Sequence, residues 1–494
     1  MSEEIFDVVI VGGGLSGIGA ACHLVDRCPS KSFAILEARG QIGGTWDLFR
    51  YPGVRSDSDM HTLGYSFKPW RDRKSIAEGD SIREYVREAA REYGIEKHIC
   101  FGHRLHRASW SSADALWTLE VEQAPLEGDG RSAPQTTTVR GRFLSMCSGY
   151  YRYDRGHVPP FEGMEQYRGR IVHPQFWPED LDHAGKHVAV IGSGATAITL
   201  VPALAQTAAH VTMVQRSPTW IASLPAVDRI AVWLRRLLPD ALAYRVTRWK
   251  NVLIQRWIYR QTRDRPARVR AHLLAEIRRH LGPDYDVEQH FTPRYDPWDQ
   301  RLCLVPDADL FLAIRAGRAS VATDQIARFT HSGLELASGK RIDADIIVTA
   351  TGLELEVLGG VEFAVDGQRI DFADTFTYKG MMYSDVPNLV QTFGYINASW
   401  TLRADLTAEY VCRLIRAMDE KRVRSATPRL RAEDQRMSAR PWIVDFTPGY
   451  MQRVMHLFPK QGDHAPWLNT QDYARDKAMV RKAPIDDGVL VFKA

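Results

Sequence analysis

Two glycine runs and the residues that follow them carry the chemistry most readily read from this chain. The first is Gly12-Gly13-Gly14-Leu15-Ser16-Gly17, directly after an apolar run at residues 8–11. That order takes a strand through a tight turn into a helix. Gly12 permits the turn, Gly14 lets backbone approach a pyrophosphate, and Gly17 lets the helix pack on the strand. The amides at the helix start, Ser16 among them, and the positive end of its dipole then face the phosphates. Glu37 closes the next apolar run about twenty residues beyond Gly17, where a carboxylate accepts both hydroxyls of a ribose. The second run, Gly192-Ser193-Gly194-Ala195-Thr196-Ala197, repeats the logic as G-x-G-x-x-A. At its ribose position stand Gln215 and Arg216. A carboxylate there would repel a 2′-phosphate, whereas a guanidinium binds it through charge-assisted hydrogen bonds. Two dinucleotides are expected, the second of them NADPH rather than NADH.

The elements that must position these residues follow from periodicity. Strands are expected at residues 8–11, 32–36, 186–191, 210–214 and 343–349, with helices after each glycine run and at residues 80–93 and 401–418. Residues 117–121 and 136–143 alternate as a hairpin around a polar, Gly- and Pro-bearing turn. The fold class is therefore α/β, with two Rossmann-like dinucleotide-binding domains. Residues 1–150 form the first part of one domain, 151–185 a linker, 186–375 the second domain, and 376–494 the returning part of the first. Between about residues 222 and 296 long helical patterns replace the βαβ rhythm. This insertion is rich in arginine, with Trp233, Trp249 and Trp257 interleaved. Such helices fit peripheral contact with an anionic membrane surface. Solvated helical faces with buried tryptophans are the other reading, and the confinement of the basic bias to an insertion speaks against nucleic acid.

Bulk properties bound the class. The chain has 494 residues, 45% hydrophobic and 25% charged, with a formal net charge of +4, the profile of an ordinary globular protein of two or three domains. Its six cysteines are scattered without a C-x-x-C pair, which argues against a disulfide scaffold, a zinc site and a dithiol redox centre. A reducing, cytoplasmic location is expected. The N-terminus has no signal-peptide pattern, and no apolar run reaches the roughly 20 residues that span a bilayer.

The linker carries YRGRIVHPQFWP, from Tyr167 to Pro178. Its pattern resembles the signature of type I Baeyer–Villiger monooxygenases, with Tyr167 in place of phenylalanine and Gly169, His173, Trp177 and Pro178 matching. Other blocks agree: Gly43-Gly44-Thr45-Trp46, and the stretch Arg50 to Asp57 with Val54 and Ser56 in place of alanine and cysteine. The segments CSGYY, DPWDQRLCLVP and YKGMM look most like the mycobacterial ethionamide-activating subgroup and its bacterial relatives. The resemblance covers nearly the whole chain.

It implies FAD at the first loop, beside Gly44, Thr45, Trp46, Arg55, Ser56 and Asp57, with a backbone contact to its adenine side near Leu105. It implies that Arg301 is the catalytic arginine and that Asp57 holds its guanidinium. His173 would position domains and cofactor, and Cys147 would be packed core. Gln300 stands where a lysine often helps hold the coenzyme phosphate, which leaves the strictness for NADPH open. The implied reaction inserts one oxygen of O2 into ketones through a C4a-peroxyflavin, giving esters or lactones, and also oxidises sulfides or thioamides. Two alternatives stay open: a nitrogen- or sulfur-oxidising flavin monooxygenase without ketone chemistry, and a non-catalytic flavin redox sensor. The C-terminal segment around Phe446 to Tyr450 would cover the active site.

Overall fold

The computed structural model describes residues 4–126, 133–444 and 447–494. Residues 127–132, within the polar turn expected between the strands of the first hairpin, and Phe446 lie outside the described residues. Two sheets organise the chain. In the larger, β1 (Ile5–Val11) is flanked in parallel by β2 (Phe33–Glu37), which continues to β3 (Ile99–Phe101). On its other side β1 pairs in parallel with β6 (Gln135–Met146), the last strand of an antiparallel meander with β4 (His103–Ser111) and β5 (Leu116–Gln123). β1 is apolar over residues 8–11 because it is covered on both faces, and α1 (Leu15–Arg27) crosses from it to β2.

A short strand, β7 (Tyr151–Gly156), leaves the first sheet, and the linker then supplies β8 (Arg170–Val172) to the edge of the second. That second sheet is all parallel. It contains β9 (His187–Ile191), β10 (His210–Gln215), β11 (Ala319–Thr323) and β12 (Ile346–Thr349), in the order β11-β10-β9-β12-β8. The helix α2 (Ala195–Leu204) follows β9 as α1 follows β1. The chain re-enters the first sheet at β13 (Glu362–Val365), parallel to β4, and at β14 (Leu389–Gln391), parallel to β6.

Between β10 and β11 the insertion folds as α3 (Arg229–Leu237), α4 (Asp240–Asp264) and α5 (Pro266–Leu281). Asp228 starts α3 by accepting the Ala231 N–H at 3.0 Å. The inner face of α4 is polar and docks on the loop after Asp57. Arg248 donates to the carbonyls of His61, Thr62 and Gly64 at 2.9, 3.1 and 2.7 Å. Asn251 donates to Asp59 at 2.9 Å. Finally α6 (Trp400–Lys421) lies along α1, and α7 (Tyr473–Lys482) packs on α6. Arg403 of α6 and Asp476 of α7 form a buried ion pair at 2.5 Å.

Candidate active site

The first glycine turn opens onto a cavity of about 590 Å³. Gly12 donates its N–H to Leu36 at 2.8 Å, which seats the turn between β1 and β2. No side chain caps the start of α1 at Gly14. A Cβ at Gly17 would lie 1.8 Å from the Gly12 carbonyl oxygen, so only glycine lets the helix approach the strand this closely. Glu37 is buried and lines the cavity; its carboxylate accepts the Gly13 N–H at 2.6 Å and the Arg39 N–H at 2.8 Å. Burial raises its pKa above the ordinary carboxylate range, with the two backbone N–H groups working against that rise. Gly44, Thr45 and Trp46 line the same wall, and Gly44 packs against Gly14. Leu105, buried on β4, lines the cavity with His103 and Glu122.

The same wall continues to Arg301 and Asp57, whose side chains form an ion pair. They are 33% and 35% exposed, so both remain open to the space they line. Burial opposes the charge of Arg301 most strongly, but Asp57 together with Tyr150, Tyr450 and Tyr151 outweighs it, and the pKa rises. The arginine is held by its neighbours in the chain. Asp299 bonds Arg263 at 2.7 Å and receives the Thr447 N–H at 2.9 Å, and the strand Cys303–Pro306 begins just beyond. Arg55, although nearer to Asp57 in sequence, pairs instead with Asp309 of the second unit, at 2.5 and 3.3 Å. Ser56 is buried and knits its loop to Ala77, accepting the N–H at 3.1 Å.

At the second loop, Ser193 donates to the Ser217 carbonyl at 2.9 Å, and α2 starts at Gly194 without a side-chain cap. Gly192 sits against Ala350, and Ala197 is fully buried. Ala195 and Thr196 reach the cavity. The buried Tyr51 phenol, hydrogen-bonded to Thr196, is pushed up to about 12 by burial. Gln215 is turned into the protein: its amide donates to His290 O and Thr323 Oγ1, both at 2.8 Å. Arg216 beside it is exposed, with no hydrogen bond or ion pair from its side chain among the described residues. Of the two residues at the ribose position, only the arginine faces outward.

The linker signature includes the edge strand β8 of the second sheet. Tyr167 donates to the Ala344 carbonyl at 2.8 Å, with Gly169 against it, and Trp177 packs on the core of the second unit. His173 takes the Gln175 N–H on Nδ1 at 3.2 Å and bonds the Gly352 carbonyl through Nε2 at 3.2 Å. Its ring fills the place of a side chain at Gly156 of β7. Both nitrogens are therefore engaged with backbone, and burial lowers the pKa. Cys147 is buried and its thiol is pushed up to about 11, as packed core would be.

Sequence reasoning did not single out the aromatic wall near Arg301. Tyr150 stacks on Trp400 at 5.2 Å and 13° and packs on Phe393 at 5.0 Å. The Tyr150 and Tyr151 hydroxyls meet at 2.6 Å, and Trp400 donates from Nε1 to Ser16 Oγ at 2.7 Å. Burial raises the pKa of Tyr150, Tyr151 and Tyr450, so all three stay protonated. Ser148 Oγ is buried in the same wall without a hydrogen-bond partner among the described residues. Tyr450 belongs to the aromatic stretch that its composition marked out; Trp400, at the first turn of α6, had no local signal.

Residues 10–72 match the family of NAD(P)-binding Rossmann-like domains. Along its full length the chain is 52% identical to the FAD-containing monooxygenase EthA of Mycobacterium tuberculosis over 493 residues, 98% of that protein. It is 51% identical over 490 residues to EthA of Mycolicibacterium smegmatis, covering 99% of this chain and 97% of that one. Among solved structures, an oxidised steroid monooxygenase bound to NADP superposes with a TM-score of 0.77 at 21% identity, over 99% of this chain and all of the other. A polycyclic ketone monooxygenase from Thermothelomyces thermophila also gives 0.77, at 18% identity, over all of this chain and 90% of that one. At these identities the structural likeness is one of fold.

Proposed function

The chain belongs to the FAD-containing monooxygenases, and from that premise we propose an NADPH-dependent Baeyer–Villiger enzyme. It consumes ketone, O2, NADPH and a proton, and yields ester or lactone, NADP+ and water. The same site oxidises the sulfur of sulfides or thioamides. The observation that carries this reading is the Arg301–Asp57 ion pair, set in the wall of a cavity that begins at a dinucleotide turn.

The residues present fit FAD. The uncapped start of α1, the close approach of Gly14 and Gly44, the inward Glu37 and the unpartnered Ser148 Oγ are the groups a long, anionic dinucleotide needs. When bound, FAD supplies the two-electron reduction and activation of O2. The Gly12–Ser16 turn binds the pyrophosphate, Glu37 the ribose, and Leu105 packs on the adenine side. Ser193, Gly194, Ala195 and Thr196 bind the second pyrophosphate, and Arg216 takes the 2′-phosphate of NADPH. Arg301 presents a fixed positive charge to oxygen anions that develop in the cavity, and Asp57 keeps the guanidinium aimed there. Because the charge is already oriented, stabilisation needs no reorganisation when the anion forms. Tyr150, Tyr151 and Tyr450, held protonated, restrict water beside Arg301 and keep neutral donors there. His173 moves no proton and positions the linker.

The test is product analysis with purified holoenzyme, NADPH, labelled O2, a linear ketone and a thioether. Wild-type protein is expected to give labelled ester and sulfoxide. Arg301→Ala is expected to retain FAD and lose product formation by roughly 10²–10³-fold. Ester formation by Arg301→Ala at the wild-type rate would remove the arginine from the mechanism. Sulfoxide without ester from any ketone would leave a heteroatom monooxygenase.

A further inference from the structure

The helical insertion is built with its polarity reversed. The face of α4 turned into the protein carries Tyr244, Thr247, Arg248 and Asn251, all buried. The face turned to solvent carries Leu242, Val246, Trp249, Leu253 and Trp257, which fall within an arc of about 80° at 100° per residue. Trp249 is 65% exposed and Trp257 62%. The neighbouring α3 adds Trp233 at 57% and Leu237 at 60%. Tryptophan is ordinarily highly buried, and exposed apolar residues gathered on one surface mark an interaction site. The inner face of α4 is fixed by backbone acceptors of the helical turn Met60–Leu63 and its cap Gly64, so the apolar stripe cannot roll inward.

The fringe of this surface chooses the partner. Arg229, Arg236, Arg245 and Arg260 are exposed, and none makes a side-chain hydrogen bond or ion pair among the described residues. The acid at the α3–α4 turn, Asp240, is already engaged by Arg71 and Arg235. A second copy meeting this face about a two-fold axis would set the arginine fringe against itself. An anionic lipid surface satisfies both parts: tryptophans rest at the headgroup level while arginines meet lipid phosphates. Among the described residues no helix is long and apolar enough to cross a membrane, so the contact is in plane. We propose that the outer face of α3 and α4 docks the protein peripherally on an anionic lipid bilayer.

Full-length holoenzyme is mixed with vesicles of phosphatidylcholine alone or with phosphatidylglycerol, and binding is read by co-sedimentation and by tryptophan emission. Binding is expected to the phosphatidylglycerol vesicles, with a blue-shifted emission, and is expected to weaken at high salt. A Trp233→Ser, Trp249→Ser, Trp257→Ser variant is expected to lose binding by roughly tenfold or more, with FAD content and NADPH oxidation in solution unchanged. An Arg236→Gln, Arg245→Gln, Arg260→Gln variant is expected to lose at least as much, at roughly fivefold per arginine. Equal binding of wild type and either variant overturns the proposal, as does absence of wild-type binding. A wild-type dimer that the tryptophan variant dissociates, without vesicle binding, would assign the face to a second copy instead.

Discussion

Gln175 donates its N–H to Nδ1 of His173, so the ring proton sits on Nε2 and is directed at the Gly352 carbonyl. The imidazole is neutral in this arrangement, and burial holds its pKa below the usual 6.5. A second proton would have to displace the Gln175 N–H. The unfolded chain binds that proton at about pH 6.5 and the folded protein only below it. Stability from this group is thus fully present above pH 6.5 and is lost as pH falls through the folded value. His173→Gln keeps one donor for Gly352 and cannot titrate. The variant is expected to be less stable at pH 8 by about 1 kcal/mol, the worth of one hydrogen bond. Its melting temperature should then fall less between pH 7.5 and 5.5 than that of wild type. The acidic limb of the pH–rate profile should be unchanged; its disappearance in the variant would make His173 a general base and remove the purely structural account.

Elements here meet through close approaches that a single side chain can prevent. A methyl at Gly17 would overlap the Gly12 carbonyl oxygen at 1.8 Å, where carbon and oxygen need about 3 Å. Helix α1 would have to move off β1 and carry its first amides with it. Gly17→Ala is therefore expected to destabilise the protein by more than about 2 kcal/mol, and to lower FAD content as purified, read from flavin absorbance per protein. Full flavin occupancy in a stable variant would contradict the packing argument. That constraint was readable in the sequence because the turn, the helix start and the glycine spacing are local. So were the strands β1, β2, β5, β6, β9, β10 and β12, and Glu37 at the end of β2. The pairing of Arg55 with Asp309 was not, since the partners are 254 residues apart and a nearer carboxylate, Asp57, competes in sequence. Gln215 stands at the ribose position by spacing, but its amide satisfies a carbonyl of residue 290 that the spacing cannot show. The outward apolar stripe of α4 runs against the usual rule of amphipathic helices. It is set by backbone acceptors on a helical turn remote in sequence rather than by α4 itself.

In the whole molecule, two nucleotide loops on separate sheets have to act on one cavity, and the segment at residues 49–55 joins the two units beside it. Arg55 pairs with Asp309, Tyr51 bonds Thr196, and Gly53 lies against α2. At Gly53 φ is +75°, and a Cβ there would meet Ala203 Cβ at 2.7 Å and the Thr199 carbonyl at 3.1 Å. The atoms that Gly53 meets, on Thr199 and Ala203, lie on α2 beyond the second glycine loop, so each loop should keep its own dinucleotide when residue 53 is altered. What changes is the distance between them, and a misplacement of about 1 Å can cost on the order of 100-fold in transfer between bound groups. Gly53→Ala is accordingly expected to retain FAD and to be reduced normally by dithionite. Anaerobic reduction by NADPH, followed in stopped flow, should slow by roughly tenfold or more. The saturating NADPH concentration should change much less, because residue 53 is not in either glycine run. Reduction by NADPH at the wild-type rate would mean that the close packing at residue 53 does not set the working distance between the two units. The coupling would then have to reside in the linker around His173 alone.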